Sequence, residues 1–168
     1  MDRKSWITKT GDLVMITGRK STDNTKVSEL KAKINPGSII RIHCDFIENP
    51  KIKYIVFAYI DFETNDSLVF IINSQIPAFI EHDQHLKAGQ IPLKKTDYPF
   101  FENECSFLDC IQVFNGLDLD FMVSYLLKNP GEYKGELLSA EIEMVIAFVD
   151  KAQTLSQDDK YTIIKSIG

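Results

Sequence analysis

Residues 37–46 read GSIIRIHCDF, residues 53–62 read KYIVFAYIDF and residues 67–74 read SLVFIINS, and with QIPL at 90–93 and SFLDCIQVF at 106–114 they decide the fold. Isoleucine, valine and aromatic residues dominate these segments and favour extended strands. The tight polar connection Glu63–Asp66 predicts a hairpin between the second and third segments. We therefore expect the first three strands to form an antiparallel meander, and the whole stretch Gly37–Phe114 to curl into a small barrel.

Helices are expected on both sides of this stretch. Apolar residues at helical spacing predict them over Thr25–Ile34, Leu117–Leu127, Ser139–Lys151 and Gln157–Ile167. Ser139 and Ser156 are the expected N-caps of the last two helices. A short strand is expected at Asp12–Thr17, and a short helix or ordered loop at Ile76–Leu86, with Phe79 and Ile80 facing the core. Tyr161, Ile164 and Ile167 are expected to face inward from the last helix.

These elements predict an α+β chain with three parts. Residues 1–35 are expected to form an N-terminal arm with a short helix. Residues 36–116 are expected to form a mostly antiparallel barrel of five to six strands. Residues 117–168 are expected to form a helical extension that packs on the barrel.

Composition limits the class of protein. With 168 residues and 44% hydrophobic residues, the chain can bury a core of its own. No apolar run approaches the roughly 20 residues that span a bilayer, and the N-terminus lacks the apolar segment of a signal peptide. We therefore expect a cytoplasmic protein without a membrane partner. Cys44, Cys105 and Cys110 make an odd count, which fits free thiols in a reducing compartment.

The net charge of −5 is unevenly distributed. Residues 1–35 carry eight Lys/Arg and four Asp/Glu, residues 36–116 carry six and eleven, and residues 117–168 carry five and nine. The acidic body disfavours non-specific nucleic-acid binding, which requires clustered positive charge. The basic arm is either a solvated segment or a contact for an anionic partner.

The chain contains no GxGxxG, GxxxxGK[ST], GxSxG or HExxH motif, so the commonest nucleotide, serine-hydrolase and zinc-protease classes lose their best support. We expect no cofactor. His82 and His85 are either exposed polar residues of a turn or two ligands of a metal enzyme, with a third ligand from His43 or a cysteine. Cys105 and Cys110 are an odd number of positions apart, which in a strand places them on opposite faces and argues against one shared zinc site.

Two positions near strand ends could contact a phosphate. Lys53, with the neighbouring Lys51, lies at the start of the second strand, where lysines either hold an anion or mark a solvated hairpin end. Ser74 follows the third strand, where its hydroxyl either caps the next turn or contributes to a site. Both alternatives remain open from the residues alone.

Four segments together resemble the MazF/PemK family of bacterial toxin endoribonucleases. Residues 36–46, PGSIIRIHCDF, resemble that family's opening strand, and residues 51–61, KIKYIVFAYID, its second. Residues 67–74, SLVFIINS, are similar to a third strand that ends in a hydroxyl residue, and residues 105–116, CSFLDCIQVFNG, to a later segment. The resemblance covers about half of the chain. It implies a dimeric SH3-like barrel of a toxin or defence system that cleaves single-stranded RNA without a metal and binds an antitoxin.

The resemblance also implies site residues. Lys53 stands where the family has an arginine that serves the RNA phosphate, and Ser74 stands for its phosphate-binding hydroxyl. The family's Arg-Pro pair is absent here, and lysine offers a point charge where arginine offers a rigid fork. The sequence thus predicts a metal-independent endoribonuclease using Lys53 and Ser74. The competing hypothesis is a non-catalytic interaction module that retains the barrel and binds a protein partner.

Overall fold

The computed structural model describes residues 23–168, and the predicted strand at Asp12–Thr17 lies outside them. Contacts divide the chain after Ile34. Residues 23–33 are helical (α1), which confirms the helix predicted around Thr25–Ile34, and they belong to the first unit. The second unit begins at Asn35 and contains the sheet and the helices that follow.

The meander predicted from residues 37–74 is confirmed. Its strands are β1, Ser38–Cys44; β2, Lys51–Asp61; and β3, Asp66–Asn73, with antiparallel pairing of β1 with β2 and of β2 with β3. The β2–β3 turn is held by Asp61, whose Oδ1 accepts hydrogen bonds from the N–H groups of Glu63 (2.9 Å) and Thr64 (3.4 Å). Asn65 takes a positive φ of 54° in this turn, a conformation that asparagine tolerates better than most residues.

Three further strands complete one antiparallel sheet. They are β4, Gln90–Lys94; β5, Cys105–Phe114; and β6, Tyr133–Glu136. The strand order is β4-β5-β3-β2-β1-β6, and the six strands form a curled half-barrel. With the helices, this confirms the predicted α+β class. Among the described residues β4 pairs with β5 alone and is an edge strand, a position that suits Pro92 because proline has no N–H to donate.

Helices follow β3, β5 and β6. They are α2, Ala78–Glu81; α3, Gln84–Ala88; α4, Leu119–Lys128; α5, Ser139–Lys151; and α6, Gln157–Ile167, with a single 3₁₀ turn at Pro130–Glu132. The cap predicted at Ser156 is confirmed, since its Oγ accepts a hydrogen bond from the N–H of Asp159 at 3.1 Å. Within residues 23–168 none of the helices combines the length and apolar character needed to cross a bilayer.

Both faces of the sheet are buried. Helices α5 and α6 cover one face, where Val145, Phe148, Val149, Ile163 and Ile167 join a cluster with Ile39, Val56, Phe70, Ile72 and Leu108 of the strands. The alternate residues on the other face are at most 6% exposed and include Ile40, Ile42, Ile55, Phe57, Val69 and Ile71. A strand buried on both faces reads as a continuous apolar run, which explains the weak alternation of β1 to β3 in the sequence.

Some predictions about the helices are wrong. Ser139 does not cap α5, because it is the first residue of the helix. Leu138 occupies the N-cap position and makes no side-chain hydrogen bond there. Tyr161 is 68% exposed, since α6 presents Ile163 and Ile167, four residues apart, to the core. Phe79 is also 68% exposed, because α2 is a single turn and buries only Ile80.

Strand β6 falls within the predicted helical extension and was not expected there. It has four residues, of which Lys134 and Glu136 are charged and Gly135 has a positive φ of 111°. Such a segment has no strand signature of its own, and its pairing partner β1 lies about ninety positions away in the sequence. The strand forms because the edge of β1 is open for pairing.

Tyr98 connects the β4–β5 loop to the start of α5. Its hydroxyl accepts a hydrogen bond from the N–H of Leu138 at 2.9 Å, and the side chain is 3% exposed. We expect Tyr98→Phe to lower the free energy of unfolding by about 1–2 kcal/mol, because the Leu138 N–H loses its partner. Chemical unfolding at neutral pH measures this loss, and an unchanged unfolding midpoint would contradict it.

The same residue gives stability a dependence on alkaline pH. Burial, with a smaller effect of Glu141, raises the pKa of Tyr98 from 10.0 to about 12. A raised pKa in the folded state stabilises the fold below the unfolded value, and this contribution is lost as the pH rises through the folded value. The difference in stability between wild type and Tyr98→Phe should therefore shrink between pH 10 and about pH 12.

Candidate functional site

A cleft of about 510 Å³ opens at one end of the sheet. Its polar lining comes from Arg41 of β1, Lys51 and Lys53 of β2, Asn73 and Ser74 at the end of β3, and Glu102 of the β4–β5 loop. All four residues from Lys51 to Tyr54 contribute. Because neighbouring residues of a strand point to opposite faces, the cleft borders the end of β2 rather than one face of the sheet.

The structure thus brings Lys53 and Ser74 to one cleft. Ser74 directly follows the last residue of β3 and is exposed, and none of the hydrogen bonds among residues 23–168 involves its hydroxyl. It does not cap α2, which begins after Pro77 without any side-chain cap. Ser74 lines the cleft, and its role in a site stays a prediction.

Lys53 is half-buried and held by a short hydrogen bond. Its Nζ donates to Oδ1 of Asn73 at 2.7 Å, across the β2–β3 pair. Burial lowers the pKa of Lys53, and the nearby charge of Lys51 lowers it further, whereas Cys44 and Asp109 act in the opposite direction. An ammonium fixed by one hydrogen bond keeps two N–H groups for an anionic ligand.

Positive charge is concentrated here despite the acidic body. Arg41, Lys51 and Lys53 line the cleft together, and Glu102 is its single carboxylate among the described residues. Arg41 is also engaged outside the cleft, because its Nη1 donates to Oε1 of Glu132 at 3.3 Å. Lys134 approaches the other oxygen of Glu132 at 3.6 Å. Arg41 is therefore positioned by an ion pair that involves the 3₁₀ turn.

Aromatic rings form the wall beside these charges. Tyr54 packs edge-on against Phe101 with a centroid distance of 5.1 Å and tilted against Phe100 at 5.4 Å. Its hydroxyl donates to the carbonyl of Phe100 at 3.2 Å, and burial raises the pKa of this phenol. These contacts fix the loop that carries Glu102 and Asn103. The segment TDYPFFEN, residues 96–103, is a loop in which Tyr98 and Phe101 are buried.

The two histidines His82 and His85 lie on different helices. His82 ends α2 and His85 lies in α3, so the two rings are not on one helix, and the Nε2 of His85 accepts a hydrogen bond from the N–H of Gln153 at 3.1 Å. Over residues 23–168 no three His, Cys, Asp or Glu side chains are grouped so as to hold a metal ion. Cys105 is partly exposed and Cys110 is buried, as expected for opposite faces of a strand, and both are free thiols like Cys44.

The chemistry of the cleft suits a phosphate. Three cations, a free hydroxyl and the amides of Asn73 and Asn103 supply donors, and Glu102 supplies one acceptor that can take a proton. Sequence reasoning missed Arg41, Glu102 and Asn73. The register of the β1–β2 pair sets Arg41 opposite Tyr54, and this pairing, which the sequence does not reveal, brings Arg41 to the cleft.

Comparison with known proteins adds no relative. A scan against protein-family models, a search of curated proteins and a search of solved structures each returned no match for this chain.

Proposed function

We propose that the chain is a MazF/PemK-like barrel protein that binds single-stranded RNA in this cleft and cleaves it without a metal. One observation carries the proposal: Lys53 and Ser74, the two residues that the resemblance assigns to the RNA phosphate, line one cleft together with Arg41 and Lys51. A polyanion binds where several cations converge, because each neutralised phosphate releases condensed counterions.

Cleavage would proceed by attack of a 2′-hydroxyl oxygen on the adjacent phosphorus. The new P–O2′ bond forms as the P–O5′ bond breaks, which gives a 2′,3′-cyclic phosphate and a free 5′-hydroxyl. Glu102 would take the proton of the 2′-hydroxyl, and water would supply one to the departing oxygen. Lys53 would stabilise the added negative charge on the phosphate, and Ser74 would hold a non-bridging oxygen.

The salt dependence of RNA binding tests the electrostatic part of this proposal. For single strands, the slope of log K against log salt concentration is about −0.7 per neutralised phosphate. Contacts from Arg41, Lys51 and Lys53 therefore predict a slope of about −2 for a labelled single-stranded RNA. Lys51→Ala should make the slope less steep by about 0.7, while Lys160→Ala on α6 should leave it unchanged.

A slope near zero for the wild type would contradict phosphate binding. An equal change in slope for the Lys51 and Lys160 variants would also contradict it, because binding would then follow total charge instead of the cleft.

The alternative is a non-catalytic module for a basic protein partner. The charge distribution favours it, since residues 36–168 carry eleven Lys/Arg and twenty Asp/Glu, from six plus five and eleven plus nine in the two parts. Opposite charge accelerates association and selects partners. A partner that is captured from lysate at low salt and released at high salt would support this function. Failure to capture any partner at low salt would count against it.

A further inference from the structure

Four strands contribute one polar residue each to a cluster that begins in the cleft lining, at Lys53 and Asn73, and continues outside it. The residues are Lys53 of β2, Asn73 of β3, Asp109 of β5 and Gln90 of β4. Asp109 pairs with Ile71 on one side and with Gln90 on the other, and Ile71 points to the same face as Asn73. The pairing therefore brings Asp109 close to the Lys53–Asn73 hydrogen bond.

Asp109 is firmly anchored through one oxygen. Its Oδ1 accepts from the Nε2 of Gln90 at 2.8 Å and from the N–H of Ile111 at 3.2 Å. Gln90 is 5% exposed, so the anchor is buried. None of the described residues donates a hydrogen bond to the other oxygen of Asp109, Oδ2. Burial raises the pKa of this carboxyl, and the hydrogen bonds and Lys53 oppose the rise.

Lys53 and Asp109 influence each other through space. None of the salt bridges among residues 23–168 joins the two side chains, so they lie beyond ion-pair distance. Each nevertheless favours the charged form of the other. The ionisable groups that act on Lys53 are Lys51 on its own strand, Cys44 on β1 and Asp109 on β5. Burial raises the pKa of Cys44 to about 11, so this thiol is neutral and Asp109 is the nearby anion that compensates Lys53.

We propose that Asp109 is a positioning residue for Lys53: the carboxylate, fixed by Gln90, keeps the ammonium charged and seated on Asn73 at the edge of the cleft without touching the ligand. The inference rests on the proposed use of Lys53 in RNA binding. A half-buried ammonium without a compensating anion is costly, and it relaxes by losing its proton or by turning towards water.

The test compares Asp109→Asn with Asp66→Asn, which makes the same charge change at the exposed far end of β3. In the first arm, lysine labelled with ¹³C at Cε reports the titration of Lys53 by NMR. We expect Lys53 to lose its proton at lower pH in Asp109→Asn than in the wild type, and at an unchanged pH in Asp66→Asn. Identical Lys53 titrations in all three proteins would overturn the inference, whether or not the protein binds RNA.

In the second arm, the affinity for single-stranded RNA is measured against pH. Asp109→Asn should bind about two- to fivefold more weakly on the alkaline side, the range expected for a partly exposed charge coupling. It should approach wild-type affinity at lower pH, where Lys53 is fully protonated in both proteins. A purely structural role would weaken binding equally at every pH.

A double-mutant cycle links the two residues. In a Lys53→Ala background, Asp109→Asn should cause no further loss of affinity, because the group it positions is absent. A loss of equal size in both backgrounds would overturn the inference. If neither the wild type nor any variant binds RNA, the proposed function fails. The NMR arm then still shows whether Asp109 keeps Lys53 protonated.

Discussion

Lys53→Ala is expected to slow RNA cleavage by about 100- to 1,000-fold, which is the usual effect of removing one fixed donor from the charge that develops in a transition state. Lys53 is the cleft cation whose side chain is held in place by a short hydrogen bond within the sheet. Rates on a long single-stranded RNA, measured with enzyme in excess, give the comparison directly. Lys128→Ala, an exposed lysine in the last turn of α4, is the matched control and should retain the wild-type rate.

Lys53→Arg separates charge from position. Arginine keeps the charge and is the residue that the resemblance places here, so this variant should retain more activity than Lys53→Ala. The lowered pKa of Lys53 adds a test with a definite sign: wild-type activity should fall as the pH rises through this pKa, and the fall in Lys53→Arg should be absent or displaced to higher pH. Equal activities for wild type and Lys53→Ala would remove Lys53 from the site.

Phe70→Ala is expected to lower the free energy of unfolding by about 3–5 kcal/mol. Phe70 is fully buried on β3 and belongs to the cluster between the sheet and helices α5 and α6. Truncation loses the transfer energy of the ring and leaves a cavity in a face that packs on two helices. Urea unfolding monitored by circular dichroism measures the change.

Phe79→Ala is the matched control for this truncation. It removes the same atoms from a side chain that is 68% exposed, so we expect a change within about 0.5 kcal/mol. Similar losses for the two variants would show that the buried face of β3 is not the centre of the core.

The strands were predictable because their apolar composition indicates the burial that stabilises them. Five segments rich in isoleucine, valine and phenylalanine became β1 to β5 with ends within two residues of those expected. The cap at Ser156 followed from local chemistry in the same way. Strand β6 and the exposure of Tyr161 could not be predicted from the sequence, because both depend on contacts in space. Strand β6 forms by pairing with β1, and Tyr161 is exposed because α6 turns another face to the core.

The site was predictable only in part, for a related reason. Lys53 and Ser74 were named from their places near the ends of recognisable strands and from the resemblance. Glu102 lies in the β4–β5 loop, Asn73 on β3 and Asp109 on β5. Strand register alone places Asn73 and Asp109 near Lys53. Register is set by side-chain packing across the sheet, which the spacing of residues along one segment does not reveal.

The measurement that tests the proposed function most directly is RNA cleavage in the presence of EDTA by the wild type and the Lys53→Ala/Ser74→Ala variant. Products are resolved on a gel and their ends examined for 2′,3′-cyclic phosphate. We predict that the wild type cuts a long single-stranded RNA, that the fragments carry this end, and that the double variant is inactive while folded. Intact RNA with the wild type, or equal cleavage by both proteins, would contradict the assignment of an endoribonuclease site to this cleft.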